Sequence, residues 1–115
     1  MPTVKLTISK KFDRNEKENL ALELTALVAK EIGKPETVTQ AIVADDAVVS
    51  FGGNFLAPSA FIVVMSVGGL NPEVCKRLSA ALCALLGKYG VSGQRVYINF
   101  SEKRGDEWGW HSDTF

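Results

Sequence analysis

The sequence predicts an α/β fold with two layers, made of a duplicated βαβ unit with four main strands and two helices. Short apolar or alternating stretches typical of strands flank two longer stretches whose apolar residues recur at helical spacing. The two halves, roughly residues 2–44 and 60–102, also match one another at a constant offset of 58 positions. The 115 residues are expected to form a single domain, residues 1–115.

The first half begins with an alternating strand over residues 2–8, in which every second residue from Val4 onward is apolar. Asp13 with an acidic residue three positions later resembles a capping box, which predicts the start of helix one. Gly33 and the proline that follows soon after it are expected to end this helix. Residues 38–44 then read as a second strand, and the glycine-containing stretch that follows reads as a long loop.

The second half begins with an almost continuously apolar strand over residues 61–67, as expected for a strand covered on both faces. Asn71, with a proline at the first helical position, predicts the start of helix two. Gly87 and Gly90 are expected to end it. A fourth strand is predicted over residues 96–100.

The repeat predicts how these elements pack. Asn71 lies 58 positions after Asp13, and Val96 lies 58 positions after Val38. Each βαβ crossover makes its two strands parallel and places its helix on a sheet face. If both helices share one face, the other face of an apolar strand is left bare, so association with other subunits is expected. The apolar helix positions related by the same offset are Leu20, Leu24, Leu27 and Val28 in helix one and Leu78, Leu82, Leu85 and Leu86 in helix two.

Composition excludes several classes of protein. The 13 basic and 13 acidic side chains give a formal net charge of zero, so no field attracts nucleic acid or an anionic membrane. The alternating start lacks the apolar core of a signal peptide, and no apolar run is long enough for membrane insertion, so a cytoplasmic location is expected. Cys75 and Cys83 are too far apart on one helix for a mutual disulfide and are expected to be reduced core thiols.

Pro2 is a candidate catalytic residue. A small residue after Met1 favours removal of the methionine, which would leave a secondary amine at the chain start. An α-amino group has a pKa of about 7.7–8.0, and a general base works best when its pKa lies near the working pH. The alternative is that Pro2 merely starts a strand, where its missing N–H costs nothing.

Six short motifs occur in order along the whole chain. They are Pro2, GKP at residues 33–35, FGG at 51–53, SVGG at 66–69, RVYINF at 95–100, and GW at 109–110 ahead of the final Thr114 and Phe115. With these motifs the chain resembles the macrophage migration inhibitory factor family of the tautomerase superfamily. The resemblance implies a homotrimer with sites between subunits. It also implies keto–enol tautomerisation of phenylpyruvate-like acids, and of dopachrome derivatives, without a cofactor or metal.

The same resemblance assigns roles to three residues in proton transfer and in binding of the substrate carboxylate. The Pro2 nitrogen would remove the proton next to the substrate carbonyl. Lys34 would hold the substrate carboxylate and lower the pKa of the Pro2 amine. The alternative is that Lys34 is a solvated cation, which the dipole favours after the C-terminus of a helix. Val67 would bind the carboxylate through its backbone N–H, and its alternative is an ordinary strand residue.

Three further residues would form an aromatic pocket. Tyr97 and Asn99 are two residues apart on strand four, so their side chains point to the same side of the sheet, where they could line the pocket of a neighbouring subunit. The alternative for Tyr97 is packing at the sheet edge, and the alternative for Asn99 is a polar residue beside a turn. Trp110 matches the family's GW and would wall the pocket, or anchor the tail. His111, the only histidine, reads as a surface residue.

The chain departs from the family pattern in three places. Residues 59–62 lack the C-x-x-C of the cytokine members, which excludes thiol oxidoreductase chemistry there. Residues 54–58 form a longer stretch in which Phe55 and Leu56 could add an apolar rim. Val38 stands where several members carry an aromatic residue, which predicts a more open site mouth.

Three other functions fit parts of the sequence. One is a cytokine-like protein that binds a cell-surface receptor, is secreted without a signal peptide, and keeps only vestigial catalysis. A second is a hydratase, decarboxylase or dehalogenase, which would need paired arginines; Arg95 and Arg104 are present but do not suggest such a pair. The third, an RNA-binding sheet of the same topology, is disfavoured because strands three and four carry no basic residue among their apolar ones.

Overall fold

The computed structural model describes all residues, 1–115, as two helices packed on one four-stranded sheet, followed by a short C-terminal hairpin. The main strands are β1 (Pro2–Ile8), β2 (Gln40–Ala44), β3 (Ala60–Val67) and β4 (Val96–Lys103), and the hairpin strands are β5 (Gly109–Trp110) and β6 (Asp113–Thr114). The helices are α1 (Arg14–Ile32) and α2 (Pro72–Lys88), and 3-10 turns occupy Glu36–Val38, Gly93–Arg95 and Gly105–Glu107.

The sheet has the order β2-β1-β3-β4. Strands β1 and β2 are parallel, as are β3 and β4, whereas the central pair β1 and β3 is antiparallel. Each half of the chain is therefore one βαβ unit, and the predicted duplicated fold is confirmed. In the central pair, Pro2 lies opposite Ser66 and Ile8 lies opposite Ala60.

Both helices begin at the predicted capping residues. The Asp13 carboxylate accepts a hydrogen bond from the Glu16 N–H at 2.8 Å, and the Glu16 carboxylate accepts one from the Asp13 N–H at 3.1 Å. The Asn71 side chain accepts from the Val74 N–H at 2.9 Å. These bonds satisfy amide groups that have no partner inside a helix, so local sequence alone is sufficient to set where each helix starts.

Both helices cover the same face of the sheet. The core between helices and sheet includes the fully buried Leu6, Leu24, Ile62 and Leu82. The opposite face carries Ile42, Phe61 and Tyr97, whose side chains are 38%, 43% and 67% exposed. One protomer thus leaves an apolar sheet face uncovered.

Some local predictions were wrong. Strand β2 begins at Gln40 rather than Val38, because the 3-10 turn Glu36–Val38 closes with a hydrogen bond from the Thr39 N–H to the Glu36 carbonyl at 3.0 Å. Gly87 lies inside α2, since a glycine costs a helix only about 1 kcal/mol relative to alanine, and the chain turns instead at Gly90, whose φ is +83°.

Both cysteines of the chain are free thiols. Cys75 and Cys83 are free but half-buried rather than enclosed in the core. Burial raises the pKa of the Cys83 thiol. Neither helix combines the length and the apolar character needed to cross a membrane.

Candidate functional site

A cleft of about 390 Å³ opens at the end of the sheet where β1 and β2 begin. Three segments of the chain line it: the N-terminus, the turn and strand start at residues 37–40, and the C-terminal hairpin region. The lining side chains include Met1, Thr3, Val38, Trp108, Trp110 and Phe115. The cleft is therefore a mixed aromatic and polar site next to the chain terminus.

Pro2 is not itself a lining residue of this cleft, but it stands between two that are, Met1 and Thr3. It is buried as the first residue of β1, opposite Ser66, whereas Met1 is half-buried and lines the cleft itself. Burial lowers the pKa of the Met1 amine below its ordinary value of 8.0, and the positive charge of Lys34 lowers this pKa further. An amine at this end of the chain is therefore more often neutral near pH 7 than an exposed one.

Lys34 reaches this end because of how α1 terminates. Gly33 adopts φ +80°, and the N–H groups of both Gly33 and Lys34 donate to the Ala29 carbonyl at 2.9 Å. The loop after β3 packs against the same helix end: a Cβ built on Gly69 would lie 2.6 Å from the Ile32 Cγ2 and 3.6 Å from the Lys34 Cε. The loop after β3 and the end of α1 are therefore closely packed, and the charge of Lys34 acts on the Met1 amine from this helix end.

Val67 is the last residue of β3 and comes directly after Ser66, the partner of Pro2. Because β1 and β3 are antiparallel, Val67 lies on the side of this pair toward Met1. Its side chain is half-buried. Its backbone is thus at the same end of the sheet as Pro2 and Lys34.

The C-terminal hairpin supplies the aromatic wall. The rings of Trp110 and Phe115 stack with centroids 5.8 Å apart and planes 12° apart. The Phe115 N–H donates to the carbonyls of Gly105 at 3.1 Å and Trp108 at 3.3 Å, which ties the last residue down. His111 is exposed in the two-residue turn of this hairpin, with φ +50°.

Tyr97 and Asn99 lie elsewhere in the protomer. Both are exposed on the bare face of the sheet, opposite Phe61 and Val63 of β3. Counted along β3 from Ser66 at about 3.3 Å per residue, they are about 17 Å and 10 Å from the Pro2 end. One chain therefore brings Pro2, Lys34, Val67 and Trp110 to one end of the sheet but not Tyr97 and Asn99.

Comparison with known proteins decides the family. The family model described as macrophage migration inhibitory factor (MIF) matches residues 1–115. The chain belongs to the macrophage migration inhibitory factor family. It is 37% identical over 92 residues to a macrophage migration inhibitory factor homolog of Trichinella spiralis, covering 79% of this chain and 80% of the relative.

Two further relatives span most of this family member. A macrophage migration inhibitory factor homolog of Trichuris trichiura is 33% identical over 103 residues, covering 85% of this chain and 90% of its own length. The crystal structure of a macrophage migration inhibitory factor-like protein from Entamoeba histolytica superposes with a TM-score of 0.93 at 33% identity, covering 99% of this chain and 98% of that one. The resemblance read from the six motifs is confirmed.

Several lining residues of this family member were not among the predicted site residues. Thr3 is buried, and its hydroxyl donates to the Gln40 Oε1 at 3.3 Å across the parallel pair β1 and β2. That contact depends on strand register, which no local pattern reveals. Trp108 and Phe115 could have been found from the size of these side chains in a polar tail, a setting where large rings usually have a packing role.

The part of the chain around the cleft offers no metal centre: no three side chains of the His, Cys, Asp or Glu type lie close enough together to hold an ion. The cleft itself offers the Met1 terminus and aromatic rings, and the charge of Lys34 acts on the Met1 amine. Together they can bind an anionic aromatic molecule and exchange a proton with it.

Proposed function

We propose that this chain is a keto–enol tautomerase, an isomerase of the intramolecular oxidoreductase class, acting on phenylpyruvate-like and dopachrome-like substrates. The N-terminal amine of Pro2 is its general base once Met1 has been removed. The observation that carries this proposal is the Met1 amine, which lies at an aromatic-lined cleft and has a pKa lowered by burial and by Lys34. Removal of Met1 makes the nitrogen of the next residue, Pro2, the terminal amine.

The reaction needs only groups of the protein and a proton donor. The neutral Pro2 nitrogen takes a proton from the carbon next to the substrate carbonyl, and the C–H electron pair becomes a carbon–carbon double bond. The carbonyl oxygen gains a proton, which gives the enol. The Lys34 ammonium and the Val67 N–H bind the substrate carboxylate, which orients the acidic carbon toward Pro2, and Trp110 walls the pocket.

The proposal includes a homotrimer. The bare sheet face carries apolar side chains on β2, β3 and β4, and such a face favours association. Tyr97 and Asn99 are exposed on this face and remote from the Pro2 end of their own protomer. In a trimer they complete a neighbour's site, where Asn99 offers both a donor and an acceptor to a ring substituent.

The test begins with the intact mass of the purified protein, which shows whether Met1 has been removed. Enolisation of phenylpyruvate is then followed across pH. We expect kcat/KM to rise with pH through an inflection below pH 8.0, the ordinary pKa of the amine. A profile without such an inflection contradicts the assigned base.

Two variants isolate the nitrogen. An alanine inserted between Met1 and Pro2 turns the Pro2 nitrogen into an amide, and should lower kcat/KM by about 10²–10⁴-fold, the usual contribution of a general base. Pro2→Gly also lowers it, whereas the control Pro58→Gly, in the loop after β2, leaves it unchanged. Full activity of the inserted variant would refute the role of Pro2.

The receptor-binding alternative stays a prediction from the sequence, as do the cytoplasmic location and a secretion route without a signal peptide. A receptor-binding protein does not need a free Pro2 nitrogen. A folded trimer without turnover of phenylpyruvate would favour that alternative.

A further inference from the structure

The side chain of Arg95 ties together two segments that are remote in sequence. Arg95 is half-buried and ends the 3-10 turn before β4. Its Nε donates to the Ser59 Oγ at 2.9 Å, its Nη1 to the Asn54 Oδ1 at 2.9 Å, and its Nη2 to the Asn54 carbonyl at 3.1 Å. All three nitrogens of the guanidinium thus hold the segment that leads into β3.

The same guanidinium also contacts an aromatic ring. The Arg95 Cζ lies 5.6 Å from the centroid of the Phe51 ring, within the range of a cation–π contact. Phe51 and Asn54 exchange two backbone hydrogen bonds, at 3.0 and 3.2 Å, across a turn formed by two glycines with φ +60° and +74°. Arg95 therefore holds the Phe51 ring directly and the base of its turn through Asn54.

Phe51 in turn contacts Tyr97. Their ring centroids are 4.8 Å apart and their planes are tilted by 42°. Tyr97 is 67% exposed on the bare sheet face. In the proposed trimer Tyr97 borders a neighbour's pocket, and within its own protomer a ring held beside it restricts its rotamers.

We propose that Arg95 is a positioning residue: through Phe51 it holds the Tyr97 ring in one orientation, and so sets the preference for aromatic over aliphatic keto acids. This inference rests on the proposed function, in which Tyr97 lines a neighbour's substrate pocket. Asn54, which receives two of the three Arg95 hydrogen bonds, lies in the stretch where this sequence departs from the family pattern.

Loss of Arg95 should affect substrate binding but not proton transfer. Arg95 donates to a loop rather than to the N-terminal end of the sheet, so its loss leaves Pro2 and Lys34 in place. An aliphatic keto acid has no ring to place against Tyr97. Loosening Tyr97 should therefore weaken binding of an aromatic substrate alone, since ordering one side chain costs about 0.5–1.5 kcal/mol, or about twofold to tenfold in affinity.

The kinetic test compares phenylpyruvate with pyruvate in wild type, Arg95→Lys and Asn54→Ala. Lysine keeps the charge but cannot form the three-way fork of hydrogen bonds. We expect Arg95→Lys to raise KM for phenylpyruvate about fivefold with kcat unchanged, and to leave both constants for pyruvate unchanged. Asn54→Ala should show a smaller change of the same kind. The matched control is Arg77→Lys on α2, whose Nε lies 3.2 Å from the Glu31 carboxylate, far from this loop.

Equal losses on both substrates, or no loss on either, would overturn the positioning role. If the wild type turns over neither substrate, the proposed function fails, and a second readout decides the role of Arg95 by itself. The chain has two tyrosines, so ¹³C-labelled tyrosine gives ring signals from Tyr97 and Tyr89. In Arg95→Lys the Tyr97 signals should move toward those of a freely rotating ring while Tyr89, on the helical side, stays unchanged. Unmoved Tyr97 signals would refute the inference.

Discussion

Replacing Gly69 with alanine tests how the loop after β3 positions Lys34. Gly69 has φ +81°, and an added Cβ would lie 2.6 Å from the Ile32 Cγ2. The left-handed backbone costs alanine about 1–2 kcal/mol. Overpacking against Ile32, which is 8% exposed, costs about 1–3 kcal/mol more. We expect Gly69→Ala to lower the free energy of unfolding by about 2–5 kcal/mol.

The neighbouring glycine supplies a matched control. Gly68 has φ +71°, but a Cβ built on it meets no atom within 4 Å. Gly68→Ala should therefore cost only the backbone term of about 1–2 kcal/mol. Urea unfolding of both variants at one protein concentration measures the difference, since stability of an oligomer depends on concentration. Gly69→Ala should also raise KM for phenylpyruvate, because the displaced helix end carries Lys34. Equal destabilisation by the two alanines would refute the proposed contact.

Three other substitutions have definite outcomes. Lys34→Gln should raise KM for phenylpyruvate and shift the inflection of the pH–rate profile upward, because removing a positive charge raises the pKa of the nearby amine; an unchanged inflection would contradict this. Asp45→Asn should lower stability by more at pH 7 than at pH 3, as measured by urea unfolding at both pH values. The Phe12 N–H, and then Lys17, lower the pKa of Asp45 below 3.8, so its contribution is present above that pH and is lost as the carboxyl is protonated. Leu24→Ala removes a fully buried side chain and should lower the free energy of unfolding by about 2–5 kcal/mol in the same assay. A loss below about 1 kcal/mol would mean that neighbouring core residues fill the cavity left by Leu24.

The helices and their ends could be predicted because their causes are local. Asp13 and Glu16 are three residues apart, and Asn71 and Val74 likewise, so each cap forms within one turn of chain. The sequence predicts that β2 starts at Val38, two residues before its observed start, because the turn at residues 36–38 has no strong marker in the sequence. Gly87 does not end α2, because a single glycine weakens a helix without stopping it.

The candidate site was only partly predictable, because some of its contacts join residues that are far apart in the sequence. Pro2, Lys34, Val67 and Trp110 were identified through family motifs, and the structure places them at one end of the sheet. The hydrogen bond between Thr3 and Gln40 depends on the register of two strands that are 37 residues apart.

Residue patterns alone predict the duplicated βαβ order, the two helices and the need to cover a second apolar face, since periodicity, capping and composition act within short segments. Three-dimensional packing is needed to show that Lys34 acts on the chain terminus, that Trp110 and Phe115 stack, and that Arg95 holds Phe51 against Tyr97. These contacts join segments far apart in the chain. Their existence depends on strand register and on the packing of loops, which are set by the free energy of the whole fold rather than by any local stretch.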